Sequence, residues 1–297
     1  MSVELLKPNF YKMNKIRVAI QKSGRLSEKS LDLFKSCGIQ ISNGNRKLKT
    51  EAKNFPMEIL FLRDDDIPQY VEQGIADIGI LGENEVWEKN KKVDSILPLG
   101  FGSCRLSLAI PKDIKYPGLS FFEGKKVATS YPGILSRYFQ ENKVQVEIEE
   151  IGGSVEIAPG IGLADGIFDI VSTGSTLFTN GLKEVEIVAK SEAVIIANQN
   201  IKPETKILLE SLLFRVQSVL QAKENKYILL NAPDDQLESI SNVLPGMRSP
   251  TVVPLQREGW SSLQSVVKED QFWEVIDQLK AMGAEGILVV PIEKMIL

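Results

Sequence analysis

A chain of 297 residues that is 43% hydrophobic and 25% charged is ordinary globular material, long enough for two or three packed domains. A formal net charge of −4 argues against a nucleic-acid or polybasic-membrane footprint, and no apolar run approaches a membrane span. The absence of histidine and the presence of only Cys37 and Cys104 exclude a Ser-His or Cys-His nucleophile, a histidine base and a structural zinc site.

Any metal must therefore sit on carboxylates or arrive on substrate phosphates, which points to magnesium. Met1 to Lys15 carries Glu4, Lys7, Lys12 and Lys15 without an apolar core, so it does not read as a secretory signal, and a cytoplasmic protein is expected. Ile16 to Ile20 reads as a strand, Gln21 to Arg25 as a loop, and Ser27 as the N-cap of a helix that stops at Gly38. Met57 to Leu62 is the next strand; Asp66 then caps a helix with Pro68 in its first turn and Gly74 at its end, before a strand from Asp77 to Leu81. Such alternation implies a mainly parallel sheet. A second lobe is expected from about residue 101 to 190, with strands Arg105 to Ile110, Lys125 to Thr129 and Val146 to Ile151 and a turn at Tyr131-Pro132-Gly133. Strand Ala193 to Ala197 and helix Pro203 to Glu224 then return to the first lobe, giving it residues 13–100 and 191–225 and leaving two crossings as a hinge. From residue 226 to 297 the order is strand Tyr227 to Leu230, helix Asp234 to Val243, strands Thr251 to Leu255 and Leu263 to Val267, helix Asp270 to Met282, and strand Gly286 to Val290. That βαββαβ order predicts a separate ferredoxin-like domain.

Within the second lobe the apolar run Ile167 to Val171 breaks into Ser172-Thr173-Gly174-Ser175-Thr176. Four hydroxyls and a glycine after a strand make a phosphate cradle, because the turn can aim several backbone N–H groups at an anion while Gly174 allows close approach. Asp169 at the strand end can accept from a ribose hydroxyl, so the ligand suggested is phosphoribosyl; the plain alternative is a Ser/Thr turn. Gly74-Ile75-Ala76-Asp77-Ile78-Gly79 and Gly166-Ile167-Phe168-Asp169-Ile170-Val171 share Gly-Ile and Asp-Ile at equal offsets, which suggests that one strand-to-loop unit occurs in each of two facing lobes.

Four further segments carry polar chemistry. Gln21-Lys22-Ser23-Gly24-Arg25 follows the first strand, where open α/β sheets bind ligands, and its two cations suit a polyphosphate as well as they suit solvent. Arg63-Asp64-Asp65-Asp66 offers three carboxylates for a phosphate-bound magnesium, although Asp66 is also explained as a helix cap. Gly153-Ser154-Val155-Glu156 is either a plain cap or a carboxylate that reaches ribose. Phe101-Gly102-Ser103-Cys104-Arg105-Leu106 sits at the lobe crossing and reads as structural, with Arg105 as a cation for the cleft.

These segments, with Ala76-Asp77-Ile78-Gly79-Ile80-Leu81-Gly82 and Asp169 to Thr176, stand in the order of the ATP phosphoribosyltransferase family, which the chain closely resembles from about Met13 onward. Leu244-Pro245-Gly246-Met247-Arg248-Ser249-Pro250-Thr251 looks like the regulatory domain of that family's long form; Met13-Asn14-Lys15-Ile16 looks like a normal start, with Met1 to Lys12 either an extension or a start-site choice. The resemblance implies a two-lobed core of type II periplasmic-binding-protein architecture. It also implies transfer of the phosphoribosyl group of 5-phosphoribosyl 1-diphosphate to N1 of ATP as the first step of histidine biosynthesis, with Mg2+, a dimer or hexamer, and feedback inhibition by histidine. On that footing Lys22 and Arg25 are the expected catalytic cations. Glu156, Asp169, Ser172, Thr173, Gly174, Ser175 and Thr176 would hold the sugar donor, and Gln21, Gly24, Arg63, Asp66, Gly82, Glu83 and Arg105 would hold ATP. Asn231, Ser249 and Thr251 are the expected histidine contacts. A small-anion receptor without catalysis is the rival on the same fold.

Overall fold

The computed structural model describes residues 15–42, 48–244 and 249–296; the leader, the start at Met13 and Pro245 to Arg248 lie outside the described residues. In chain order the first lobe has β1 (Ile16–Gln21), α1 (Arg25–Ser36), β2 (Lys49–Glu51), β3 (Met57–Leu62), α2 (Ile67–Glu72), β4 (Ile78–Gly82), α3 (Glu83–Lys89) and β5 (Val93–Pro98). The second has β6 (Cys104–Pro111), β7 (Lys126–Thr129), α4 (Pro132–Glu141), β8 (Glu147–Glu150), β9 (Gly166–Val171), α5 (Ser175–Thr179) and β10 (Leu182–Ser191). The chain then returns through β11 (Ala193–Asn198) and α6 (Pro203–Glu224), and continues with β12 (Asn225–Pro233), α7 (Leu237–Val243), β13 (Thr251–Pro254), β14 (Trp260–Lys268), α8 (Glu269–Ala281) and β15 (Glu285–Pro291).

The first sheet runs β2-β3-β1-β4-β11-β5, with β1 parallel to β3 and β4 and with β11 antiparallel to β4 and β5. Its central strands are apolar on both faces, and Ile16, Val18, Ile20, Ile59, Ile78 and Ile80 are fully buried, as helix-covered parallel strands require. The second sheet runs β10-β6-β9-β7-β8, and β6, like β11, enters antiparallel from the other lobe. The order in both is that of the expected two-lobed architecture. The crossings lie side by side: Leu99 N donates to Ala193 O at 2.9 Å and Ala193 N to Phe101 O at 2.8 Å.

The internal repeat is real, but Gly74 answers Gly162 rather than Gly166. In the first lobe Arg17 N donates to Asp77 Oδ2 at 2.7 Å and Asp77 N returns a bond to Arg17 O at 2.9 Å. In the second, Lys126 N donates to Asp165 Oδ2 at 2.9 Å and Asp165 N returns to Lys126 O at 2.8 Å. Both Gly-x-Ala-Asp segments follow a short helix or turn, and Gly74 and Gly162 both have φ near +70°. The aspartate locks the incoming loop to the neighbouring strand, so this fold requires it in each lobe and the Asp-Ile match at 169 was coincidental.

Local corrections concern helix starts. α1 begins at Arg25, so Ser27 is buried within it and caps nothing. Tyr131-Pro132-Gly133 is the entry to α4, where the fixed φ of Pro132 fits the first turn. Asp66 stands at the cap position of α2 but makes no side-chain cap, because Asp64–Asp66 already forms a 3-10 turn leading in. Ser154 likewise makes no capping bond.

A second compact unit takes in residues 33–38 and those from 210 onward, so it begins inside α6. Its antiparallel sheet, β13-β14-β12-β15, carries α7 and α8 on one face around Ile228, Leu230, Leu263, Phe272 and Leu279, the expected βαββαβ arrangement. The other face is open, and Val253, Leu288 and Val290 are exposed on it. Asn231 lies within β12 on that face, not in a loop; Thr251 begins β13 on the same face. Among the described residues no helix is long and apolar enough to cross a membrane.

Candidate active site

The donor loop leaves β9 at Val171 and turns at Gly174, whose φ of 81° and ψ of 0° favour glycine. Ser172, Thr173, Ser175 and Thr176 are exposed, and Thr173 Oγ1 and Ser175 Oγ lie 3.0 Å apart. The N–H groups of Thr173, Gly174 and Thr176 find no acceptor among the described residues, so three backbone donors and four hydroxyls are available to an anion. Arg105 braces this loop. Its Nη1 donates to Ser172 O at 2.9 Å, and its Nη2 donates to Glu184 Oε2 at 2.6 Å within a bidentate pair. Its guanidinium is held within the second lobe by these contacts, which fix the position of the Ser172 carbonyl at the start of the loop. Burial raises the Asp169 carboxyl to about 6, and the nearby negative charge of Glu156 adds to the rise.

Across the cleft, Gln21, Lys22, Gly24 and Arg25 form the turn from β1 into α1. Lys22 N donates to Leu62 O at 2.7 Å, and Gly24 has φ +96°, a conformation that favours glycine at this turn. The Lys22 and Arg25 side chains are exposed and make no ion pair among the described residues. The acidic run behaves differently from the expectation. Gln21 Nε2 donates to Asp64 Oδ2 at 3.2 Å, while Arg63 Nε lies 3.2 Å and Lys89 Nζ 3.9 Å from the Asp65 carboxylate. The Arg63 contact has ion-pair distance without hydrogen-bond geometry, so Asp65 Oδ1 is buried with no hydrogen-bond partner. Among the described residues no three Asp, Glu, Cys or His side chains converge as a metal ligand set, so the carboxylate trio does not form a metal cage. Gly82 precedes α3 in extended conformation, and Glu83 N donates to Glu192 O at 2.9 Å at the return crossing.

Side chains that sequence reasoning passed over connect the two groups. Beyond Gln21 and Asp64, the charge of Asp64 reaches the buried Glu85, which accepts a hydrogen bond from Tyr131; Tyr131 in turn feels Asp169, and Asp169 feels Glu156. The hydrogen-bonded pairs Gln21–Asp64 and Glu85–Tyr131 and the carboxylate of Asp169 thus share one electrostatic neighbourhood between the β1 loop and the donor loop. The only sequence signal was the Gly-Glu-Asn-Glu stretch after β4. Burial, reinforced by Asp64 and Asp65 and opposed by Tyr131 and Lys89, pushes Glu85 from 4.5 up to about 7. A carboxyl raised in the fold favours its protonated form. The stability it contributes is complete below about pH 4.5 and is lost as pH rises through about 7, a loss of roughly 3 kcal/mol. Glu85→Gln is therefore expected to melt higher than the parent at pH 8 and to show a shallower decline between pH 5 and 8. The residual slope belongs to Asp169 and Glu83, whose carboxyls burial also raises. Parallel melting profiles with equal slopes would show that Glu85 does not titrate in this range.

A family model described as ATP phosphoribosyltransferase matches residues 63–218, and a second, described as the C-terminal domain of the same enzyme, matches residues 222–294. A protein of Phocaeicola vulgatus named ATP phosphoribosyltransferase is 58% identical over 282 residues, covering 95% of this chain and 100% of that protein. One from Cytophaga hutchinsonii with the same name is 56% identical over 281 residues, covering 95% and 98%. Among solved structures, the ATP phosphoribosyl transferase (HisG:HisZ) complex from Thermotoga maritima superposes with a TM-score of 0.61 at 29% identity, covering 69% of this chain and 98% of that one.

Proposed function

The chain belongs to the ATP phosphoribosyltransferase family, and we propose that its two lobes divide the reactants, with the sugar donor on the β9–α5 loop and the ATP polyphosphate beside the β1–α1 loop. The enzyme transfers the phosphoribosyl group of 5-phosphoribosyl 1-diphosphate to N1 of ATP, which is the first step of histidine biosynthesis. The observation that carries the division is the loop 172–176, where three N–H groups without an acceptor among the described residues and four exposed hydroxyls follow the strand that bears Asp169.

The nitrogen N1 of adenine has a lone pair at neutral pH. It attacks the anomeric carbon as the bond from that carbon to the diphosphate oxygen breaks, and the electron pair leaves with the diphosphate. No base is needed for this step, which suits a chain without histidine. What is needed is alignment and stabilisation of the departing charge. Asp169 accepts from a ribose hydroxyl with Glu156 beside it, Ser172 to Thr176 hold the 5-phosphate, and Lys22 and Arg25 face the leaving diphosphate. Gln21, Gly24, Gly82 and Glu83 border the ATP side, with Arg63 and Asp66 at its edge. Magnesium fits as a metal carried in on the donor's diphosphate, whose charge it neutralises; the lack of a three-ligand protein set among the described residues favours that mode.

We further assign the C-terminal domain to control by histidine, through the open sheet face that bears Asn231 and Thr251 together with Ser249. A ligand held there uses none of the residues assigned to the substrates, so inhibition works by shifting a conformational or subunit equilibrium, and substrates must weaken histidine binding in return. Calorimetric titration of the full chain is expected to show histidine binding that Asn231→Ala weakens and that saturating substrates oppose. The same substitution should relieve inhibition. Absence of binding, or inhibition untouched by Asn231→Ala, would remove the assignment. Self-association, as a dimer or hexamer, belongs to the same reading.

A further inference from the structure

The two lobes carry a built-in contact between α3 of the first and α4 of the second. α3 follows β4 of the first sheet and α4 follows β7 of the second. The cap position of α4 is Tyr131, whose side chain makes no capping bond. Its leading N–H groups are bonded instead by a carboxylate from the other lobe. Glu88 Oε1 accepts from Gly133 N at 2.8 Å and Glu88 Oε2 from Ile134 N at 2.9 Å. Arg137 Nη2 donates to Trp87 O at 2.7 Å, and Trp87 packs against the second-lobe core that includes Phe122 and Phe139. At its other end α3 is fastened to the return crossing. Asn84 N donates to Ser191 Oγ at 3.0 Å, and that hydroxyl donates back to Asn84 Oδ1 at 2.9 Å. Asn84 Nδ2 also donates to the Tyr131 hydroxyl at 3.3 Å.

We propose that α3 is a clasp, and that Glu88 and Asn84 are positioning residues which hold the lobes at the angle where the β1–α1 loop and the β9–α5 loop address one reacting pair. Neither touches the reacting atoms. The clasp rests on the cleft reading given above and adds a thermodynamic requirement to it. If each ligand binds productively only to the closed cleft, its apparent affinity is reduced by the fraction of molecules that are open. Loosening the clasp then weakens ATP and the sugar donor by a common factor, whereas damage to one loop is selective for one ligand.

Position 133 supplies an independent handle. A Cβ built on Gly133 lies 3.0–3.3 Å from the Glu88 carboxylate, so alanine there crowds the carboxylate and makes it shift off its two N–H partners, while alanine is otherwise welcome in a helix. In the full-length chain, dissociation constants for ATP alone and for the donor with magnesium alone are measured for the parent, Glu88→Ala, Gly133→Ala and the double variant. Glu88→Ala is expected to weaken both ligands by the same factor, about tenfold. Gly133→Ala should weaken both in the parent background and neither further once Glu88 is gone. Glu88→Gln, which keeps one acceptor, should recover part of the loss and guards against a simple folding defect. A lowered melting temperature with unchanged constants would make the contact merely structural and end the proposal. So would weakening of one ligand alone, or full additivity in the double variant. If the parent binds neither ligand, the cleft reading itself fails, an outcome distinct from a parent that binds both and variants that do not differ.

Discussion

Lys22→Ala and Arg25→Ala are each expected to reduce turnover on the order of 10²-fold while changing the Michaelis constant for ATP far less. The reason is where charge grows. In the ground state the diphosphate is still esterified to the anomeric carbon; in the transition state that bond is breaking and the negative charge on the departing oxygen rises. A cation held beside it gains attraction only as the reaction proceeds, so its removal falls on the chemical step. Both side chains are exposed and without ion-pair partners among the described residues, so their truncation leaves no buried carboxylate uncompensated and should leave the melting temperature close to that of the parent. Steady-state kinetics with ATP and donor varied separately decide the matter. A raised Michaelis constant with unchanged turnover would move these residues to ground-state binding.

Asp169→Asn and Thr176→Val should weaken donor binding by about 1.5–3 kcal/mol each, roughly ten- to a hundredfold, with ATP affinity unchanged. Asp169 lies within β9 opposite Ser107 of β6, so its backbone place is fixed by the sheet and the substitution alters chemistry rather than position. Its carboxyl, raised to about 6, is ionised and able to accept a ribose hydroxyl above that pH; donor affinity in the parent should therefore fall as pH drops below about 6, and Asp169→Asn should remove that fall. Direct titration with the donor and magnesium measures both. Unchanged donor affinity in the two variants would overturn the cradle.

What the sequence made legible follows from how each element is stabilised. Strand Met57–Leu62 and helix Pro203–Glu224 were read to the residue because a bounded apolar run and a leading proline write themselves into the pattern. β5, β10 and α3 went unread. β10 alternates charged with apolar residues at a sheet edge, and Glu184 gives no hint in sequence that it holds Arg105. α3 is short, and its residues are chosen for contacts with the other lobe, which no local pattern encodes. The repeat shows the same limit: the Asp77 and Asp165 locks are plain once the strands are paired, whereas residue identity alone favoured a register displaced from them. The donor loop was legible because its chemistry is local, five small residues after a strand. The series from Gln21 through Asp64, Glu85 and Tyr131 to Asp169 was not, because it is assembled from five separate segments by the fold.

The most direct test of the whole account is the reaction itself. Purified full-length protein is incubated with ATP, 5-phosphoribosyl 1-diphosphate and magnesium, and both the phosphoribosyl-ATP chromophore and free diphosphate are followed. The account predicts that the two products appear in equal amounts, that omission of either substrate or of magnesium abolishes both, and that Lys22→Ala slows both alike. Binding of the two ligands without any new chromophore, or release of diphosphate without it, would contradict transfer to N1 and leave a two-lobed binding protein in its place.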